Sequence, residues 1–155
     1  MKKYLHVCGT FAPGGITSFV KSIMEQNSYY STQHRTVLVS EKNAQTSENV
    51  EILVSRFNPF KMLRFAARAS KEYERIFIHS ADYLITLSFI LFKGNYFLFQ
   101  HGMAVSYGHL IKKLLKKIWF TIIPVLLNAK IICSSEYAFN KTRSKGVHLS
   151  SSRKL

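Results

Sequence analysis

Acidic residues are scarce in this chain of 155 residues, which holds 8 Asp and Glu against 22 Lys and Arg and has a formal net charge of +14 at pH 7. Asp82 is its only aspartate, so the sequence disfavours any mechanism that needs paired aspartates or a carboxylate cage around a metal. The basic excess is uneven, because residues 83–155 carry 11 Lys and Arg but only one acid, Glu136. A charge of this size predicts an anionic partner.

Cysteines and long apolar runs are also limited. Cys8 and Cys133 are isolated in apolar stretches, which favours buried free thiols over a disulfide or a metal site and fits a reducing, cytoplasmic compartment. The first apolar run is broken too early for a secretory signal, and the longest one, 118–127, is about half the length that a membrane span needs. We therefore expect a cytoplasmic chain, either free or peripheral at the inner face of the membrane.

Strand-like and helix-like segments alternate along the chain. A β-prone run at 4–8 is followed by a glycine loop at 9–15 and an amphipathic helix of about three turns. Five more strands are predicted at 35–40, 50–54, 75–79, 96–100 and 130–133, and four more helices at 59–72, 82–92, 109–127 and 135–145. This alternation predicts an α/β fold whose sheet is mostly parallel and is flanked by helices on both faces.

Small and polar residues follow several predicted strands, at the edge where α/β sheets bind ligands. They are Gly14 and Gly15 after the first strand, His79 at the end of the fourth, His101 and Gly102 after the fifth, and Ser134, Ser135 and Glu136 after the sixth. Imidazole at a strand end can donate to a hydroxyl or a phosphate, although a lone buried histidine is more often structural. Two histidines at equivalent strand ends leave both interpretations open, whereas His6 is expected to be packed or solvated.

The glycine loop matches no phosphate-binding fingerprint in full. Gly9 and Gly14 have the Walker spacing, but Gly15 and Ile16 stand where Lys and Ser or Thr belong, which disfavours a nucleotide triphosphatase. The dinucleotide pattern G-x-G-x-x-G is absent as well, although Glu41 after the second strand could hold a ribose hydroxyl. The loop alone therefore leaves a tight turn and a phosphate or sugar contact equally open.

Lysine pairs alternate with apolar pairs in the predicted helix at 109–127. The residues concerned are Lys112, Lys113, Lys116, Lys117 and the adjacent Trp119. This pattern suits an interfacial helix on anionic lipid, and a core-facing helix with a solvated lysine face has the same pattern. Nucleic acid is disfavoured as a partner, because no helix-turn-helix, RRM or KH signature is present.

Three segments, in this order, resemble family-four retaining glycosyltransferases of the GT-B architecture. They are the strand, Gly-Gly loop and helix at 3–20, the sequence Phe99-Gln-His-Gly102, and the strand that ends in Ser-Ser-Glu at 129–136. The resemblance implies a Rossmann-like amino-terminal domain at 1–147 that binds a glycan or lipid-linked acceptor, such as a surface polysaccharide. It also implies a nucleotide sugar as substrate, with no metal and no other cofactor.

The resemblance assigns roles to several of these residues. Gly14 and Gly15 would lie near the donor's phosphates, His101 would be the catalytic residue near the transferred sugar, and His79 would belong to the cleft together with the residues that follow the fifth and sixth strands. Some members of the family dock on membranes through basic, aromatic helices of this domain, which adds weight to the helix at 109–120.

The chain departs from that family after residue 147. Residues 148–155 form a short atypical tail where family members continue into a donor-binding domain, so we expect a truncated transferase, inactive as an isolated half, or one half completed by a separate donor-domain chain. Two alternatives remain. One is a non-catalytic membrane-surface or interaction module that retains the fold, and the other is a dinucleotide-binding enzyme that uses Glu41.

Overall fold

The computed structural model of the protein describes residues 2–8, 15–25, 32–39, 50–53, 58–79, 83–100 and 121–133. These residues form, in chain order, β1 Lys2–Cys8, α1 Gly15–Glu25, β2 Thr32–Val39, β3 Val50–Leu53, α2 Pro59–Glu72, β4 Arg75–His79, α3 Tyr83–Phe89, β5 Tyr96–Gln100 and β6 Lys130–Cys133. Residues 121–126 are helical and lead towards β6.

The six strands form one sheet in the order β3-β2-β1-β4-β5-β6. Every neighbouring pair is parallel, so the predicted α/β fold with a parallel sheet is confirmed. The order reverses between β1 and β4, since the chain builds outward from β1 on one side and from β4 on the other. In open parallel sheets the crevice beyond the carboxyl ends of these two strands is the usual ligand position.

Alternate residues of β1 face opposite sides of the sheet, and both sides are buried. Leu5 and Val7 join the main apolar core, whereas His6 and Cys8 are buried on the opposite side. That core also takes residues from β4, α2, α3 and the 121–126 segment, so these helices cover one face of the sheet. On the other face, the Phe19 ring of α1 packs against the rings of His79 and Phe99.

Helix α2 has a complete amino-terminal cap. The Asn58 side chain accepts a hydrogen bond from the backbone N–H of Lys61 at 3.1 Å, and Pro59 occupies the first helical position, where no N–H partner is needed. The helix ends at Glu72, and the backbone of the following C-cap residue, Tyr73, is extended. Its buried side is made of Met62, Phe65, Ala66 and Ala69.

Tyr96 joins β5 to the helices above it. Its buried hydroxyl donates to the carbonyl of Phe92 at 2.8 Å and lies 2.8 Å from the hydroxyl of Ser70 in α2. Burial raises the pKa of the Tyr96 phenol, and the hydrogen bond to Ser70 opposes that rise. Gly94 lies against the same ring, because a Cβ at that position would come within 2.8 Å of Tyr96 Cζ.

Most predicted elements that the structure describes are confirmed. The strands at 75–79, 96–100 and 130–133 and the helix at 59–72 have the predicted bounds. β1 and β2 begin earlier than predicted, because Lys2 pairs with Thr32 and extends the parallel ladder. The helix predicted at 82–92 is shorter: α3 ends at Phe89, and the N–H of Phe92 closes a turn on the Phe89 carbonyl. Of the helix predicted at 109–127, residues 121–126 are helical and residues 109–120 lie outside the described residues, as does the helix predicted at 135–145.

Candidate functional site

The candidate site is the crevice at the point where the strand order reverses. Cys8 and His79, the last residues of β1 and β4, are register partners across this point. Helix α1 begins at Gly15, so the glycine loop connects the end of β1 to the start of α1. The first turn of α1 holds no acidic residue, and its free N–H groups form the positive end of the helix dipole. This arrangement can hold an anionic group.

Two buried imidazoles contact each other across β1 and β4. Nδ1 of His6 lies 2.9 Å from Nε2 of His79, and each residue is 1% exposed. One of the two nitrogens must donate and the other must accept, so the contact requires complementary tautomers. Two imidazolium charges at this distance in a region closed to water would repel strongly, and the pair therefore holds at most one charge.

Aromatic rings surround the pair on the same face of the sheet. The His79 ring stacks on Phe99 with centroids 4.7 Å apart, and the His6 ring stacks on Phe77 at 4.9 Å. Phe19 of α1 approaches His79 at 6.0 Å. These contacts hold both rings in the packed interior of this face, so His79 is buried at the end of β4.

Cys8 is buried beside this pair. Burial raises the pKa of the Cys8 thiol from 9.0 to about 12, so the thiol stays protonated and is a poor nucleophile at neutral pH. Neither cysteine forms a disulfide; Cys8 is buried as predicted, whereas Cys133, which was also predicted to be buried, is partly exposed. Within the described ranges, no group of three His, Cys, Asp or Glu side chains is arranged to hold a metal ion.

The structure places two of the predicted site residues. Gly15 begins α1 at the crevice, and His79 ends β4 in the buried pair. The other predicted residues lie outside the described residues: Gly14, Glu41, His101, Gly102, Lys112, Lys113, Lys116, Lys117, Trp119, Ser134, Ser135 and Glu136. The chain reaches residues 101 and 134 from the carboxyl ends of β5 and β6, which are neighbours in the sheet.

The sequence prediction missed the partnership between His6 and His79. It treated His6 as an ordinary packed or solvated residue, and the two positions are 73 residues apart. The pairing depends on the adjacency and register of β1 and β4, in which His6 is opposite Phe77 and Cys8 is opposite His79. The alternation of side chains along β1 was enough to predict that His6 and Cys8 share one face of the sheet. The contact with His79 could not be predicted in the same way, because it depends on the strand order that places β4 beside β1.

The strand order and the parallel pairing define a Rossmann-like α/β domain. A scan against models of known protein families gives no match, and a search of curated proteins gives none either. Among solved structures, the chain is similar to a short chain dehydrogenase family protein from Francisella tularensis subsp. tularensis SCHU S4. The TM-score is 0.43 and the identity is 11%, over 97% of this chain and 78% of that chain. Among the described residues, no helix is long and apolar enough to cross a membrane.

Proposed function

We propose that the chain is the acceptor-side domain of a retaining glycosyltransferase, which transfers a sugar from a nucleotide sugar to a lipid-linked or surface polysaccharide acceptor. The observation that carries the proposal is the reversal of the strand order between β1 and β4, where Cys8 is the register partner of His79 and the chain leads from the end of β1 to the start of α1 at Gly15. The resemblance of the glycine loop and of Gln100-His101-Gly102 to that enzyme family supports the same assignment.

Within this proposal the start of α1 receives the donor's phosphates. Backbone N–H groups near Gly14 and Gly15 and the positive end of the helix dipole would stabilise the negative charge that develops on the leaving nucleoside diphosphate. The bond between the anomeric carbon and the phosphate oxygen breaks, and a bond to the acceptor's hydroxyl oxygen forms. The leaving phosphate oxygen can accept the proton that the hydroxyl loses. His101 would donate a hydrogen bond to the transferred sugar and orient it.

One Rossmann-like domain supplies one wall of such a cleft. Holding donor and acceptor in reacting geometry accounts for much of the rate of a transfer between two substrates, and both walls contribute to it. We therefore expect efficient transfer only when a donor-binding half completes the cleft, either in the same polypeptide or as a separate chain.

The test is sugar transfer by the protein captured from its own cells together with whatever is bound to it. The precipitate is incubated with radiolabelled nucleotide sugars and extracted membrane lipids, and label in the lipid or polysaccharide fraction is counted. We expect His101→Ala to reduce transfer by about a hundredfold or more, because it removes a hydrogen-bond donor from the transition state. His109→Ala, at a histidine to which the resemblance assigns no role, should leave transfer unchanged. Absence of transfer from every nucleotide sugar, or equal transfer by both variants, would contradict the proposal.

A second candidate is a dinucleotide-binding enzyme, which the strand order β3-β2-β1-β4-β5-β6 favours because dinucleotide-binding domains use it. The missing G-x-G-x-x-G pattern counts against it. Calorimetric titration with NAD and NADP distinguishes the two. If NAD or NADP binds and Glu41→Ala weakens that binding, the result supports the dinucleotide-binding enzyme. If neither cofactor binds, this second candidate function is excluded.

A further inference from the structure

The side of the sheet opposite the main core carries a continuous layer of aromatic rings. The ring of Phe77 lies at its centre, and four neighbouring rings have their centroids 4.9–6.1 Å away: those of Tyr4, His6, Phe97 and Phe99. These residues belong to the strands β1, β4 and β5, which are adjacent in the sheet. We call the surface formed by Tyr4, Phe77, Phe97 and Phe99 the aromatic sheet face.

The aromatic sheet face is less completely buried than the core side of the same strands. In β4, Ile76 and Ile78 are 0% and 1% exposed, whereas Phe77 between them is partly exposed. In β5, Tyr96 is 2% exposed, whereas the adjacent Phe97 is partly exposed. Interior strands of a parallel sheet are normally covered on both faces. The difference indicates that the described residues cover only the core side of β4 and β5 completely.

The described helices are distributed unequally between the two sides of the sheet. The main core takes residues from α2, α3 and the 121–126 segment, whereas α1 packs on the other side through the ring of Phe19. Phe19 contacts His79 and Phe99, towards the carboxyl ends of their strands. The ring contacts of Phe77 and Phe97 are with residues of the strands themselves. In the part of the chain that the structure describes, no helix therefore packs on these two rings.

Two exposed cations border the aromatic sheet face. The guanidinium carbon of Arg75 lies 5.2 Å from the ring centroid of Tyr4 and 5.9 Å from that of Phe97. Nζ of Lys130 lies 5.8 Å from the same Phe97 centroid. Neither cation forms an ion pair with a carboxylate of the described residues. The rings thus hold two positive charges at the surface, where a carboxylate from another molecule can reach both.

We propose that the aromatic sheet face binds an amphipathic helix of a partner protein. Apolar side chains of that helix would pack on the rings, and its Asp or Glu residues would pair with Arg75 and Lys130. A helix is the element that covers the faces of parallel sheets, and a guanidinium group matches the geometry of a carboxylate. This inference stands on the described strands and does not depend on the proposed transferase activity.

The charge disfavours an occupant supplied by this chain. A second copy would bring 22 Lys and Arg against only 8 Asp and Glu, and like charges across an interface oppose association. The segment that follows β6 has one acid, Glu136, and three bases: Lys141, Arg143 and Lys145. The cations of the aromatic sheet face therefore favour a more acidic helix than this chain offers.

The arrangement of the rings disfavours nucleic acid. Bases bind aromatic side chains by stacking on open ring faces. The Phe77 ring already has His6 stacked against it, with 15° between the planes, and Phe97 tilted against it at 32°. These neighbours come from the strands on either side of β4, so they occupy both faces of the Phe77 ring and leave its edge outward. Ring edges suit the side chains of a packed helix.

The experiment measures binding of a fluorescent synthetic peptide to the full chain by fluorescence anisotropy. The peptide forms a helix of about five turns, with Leu along one side and Glu beside it. One control peptide has Gln in place of Leu, and the other has Lys in place of Glu. In the protein, Arg75→Gln with Lys130→Gln removes the two cations, and the matched control is Lys71→Gln with Lys93→Gln. All four residues are exposed, and circular dichroism and thermal unfolding confirm that each variant folds.

We expect saturable binding of the Leu–Glu peptide that weakens with salt, and much weaker binding of both control peptides. Loss of two partly exposed charge pairs should weaken binding on the order of fivefold in the Arg75 and Lys130 variant, and the control variant should bind like the parent. Resonances of Phe77 and Phe97 should shift on binding. The proposal is overturned if the Leu–Glu peptide does not bind, if both variants lose affinity equally, or if the shifts are confined to α2, α3 and the 121–126 segment.

Discussion

His6 and His79 occupy neighbouring strands at the reversal of the strand order, and their ring nitrogens Nδ1 and Nε2 lie 2.9 Å apart in a site closed to solvent. The pair joins β1 to β4 by a side-chain contact in addition to the backbone ladder. The pair is buried near the carboxyl ends of β1 and β4, the edge of the sheet at which the proposed donor would bind.

The first prediction concerns this pair. His6→Leu and His79→Leu should each lower the free energy of unfolding by about 1–3 kcal/mol, because each leaves a buried ring nitrogen without its partner. The double variant should lose less than the sum of the two, since replacing both partners removes the unsatisfied group. Urea unfolding of the four proteins gives the coupling energy, and strictly additive losses would show that the two rings do not stabilise each other.

The second prediction concerns Cys8. Because burial raises the pKa of its thiol to about 12, Cys8 should be alkylated far more slowly than Cys133, which is partly exposed. Peptide mass spectrometry after a timed iodoacetamide pulse measures both rates. In a Cys133→Ser chain, labelling of Cys8 should require denaturant; fast labelling of the folded variant would contradict the buried thiol.

The pKa of Cys8 also fixes the sign of a pH effect on stability. The folded value, about 12, lies above the ordinary value of 9.0, so the unfolded chain releases this proton first as the pH rises. The stabilisation of the folded chain by the protonated Cys8 thiol is complete below about pH 9 and is lost between about pH 9 and about pH 12. Cys8→Ala should therefore reduce the alkaline loss of unfolding free energy relative to the unmodified chain.

The third prediction concerns the hydroxyl of Tyr96. Tyr96→Phe should lower the free energy of unfolding by about 1–2 kcal/mol, because the Phe92 carbonyl loses its donor and Ser70 loses a partner. Ser70→Ala should cost less, since Tyr96 keeps its bond to Phe92. Chemical unfolding of both variants checks this order. A Tyr96→Phe chain as stable as the parent would show that the Tyr96 hydroxyl does not contribute to stability.

The fourth prediction concerns the cap of α2. Asn58→Ala should cost about 1 kcal/mol, because the N–H of Lys61 loses its acceptor. Asn58→Asp keeps an acceptor and adds a negative charge at the positive end of the helix dipole, so it should be neutral or stabilising. Thermal unfolding of the two variants, measured side by side, should show a lower midpoint for Asn58→Ala and an unchanged or higher midpoint for Asn58→Asp. Equal losses would show that the cap contributes nothing specific.

Local sequence patterns were sufficient to predict most strands of the sheet and helix α2. The Pro59 start and the apolar spacing of Met62, Phe65 and Ala69 fixed that helix, and alternation of apolar residues fixed β4 and β5. The end of α3 could not be predicted, because the four-residue turn that closes between Phe89 and Phe92 contains apolar residues that continue the helical pattern. The His6–His79 contact was not readable either, since it arises from strand adjacency.

The sequence predicted where in the fold the candidate site lies, but it did not predict which side chains contact one another there. The glycine loop and the end of β4 were expected at one sheet edge, and β1 and β4 are neighbours there. Which groups reach a ligand depends on side-chain packing across strands. The stacking of His79 on Phe99 shows why a histidine at a strand end can belong to the wall beneath a crevice rather than to its open surface.

Binding of the donor's phosphates at the start of α1 can be measured by titrating the isotopically labelled chain with UDP-glucose, UDP-N-acetylglucosamine, GDP-mannose and, for comparison, NAD, while amide resonances are followed by NMR. We expect weak, saturable shifts from at least one nucleotide sugar, concentrated at Cys8, Gly15 and the first turn of α1, and we expect Gly15→Val to abolish them. Shifts at these amides caused by NAD alone, or no localised shift from any nucleotide sugar, would contradict it.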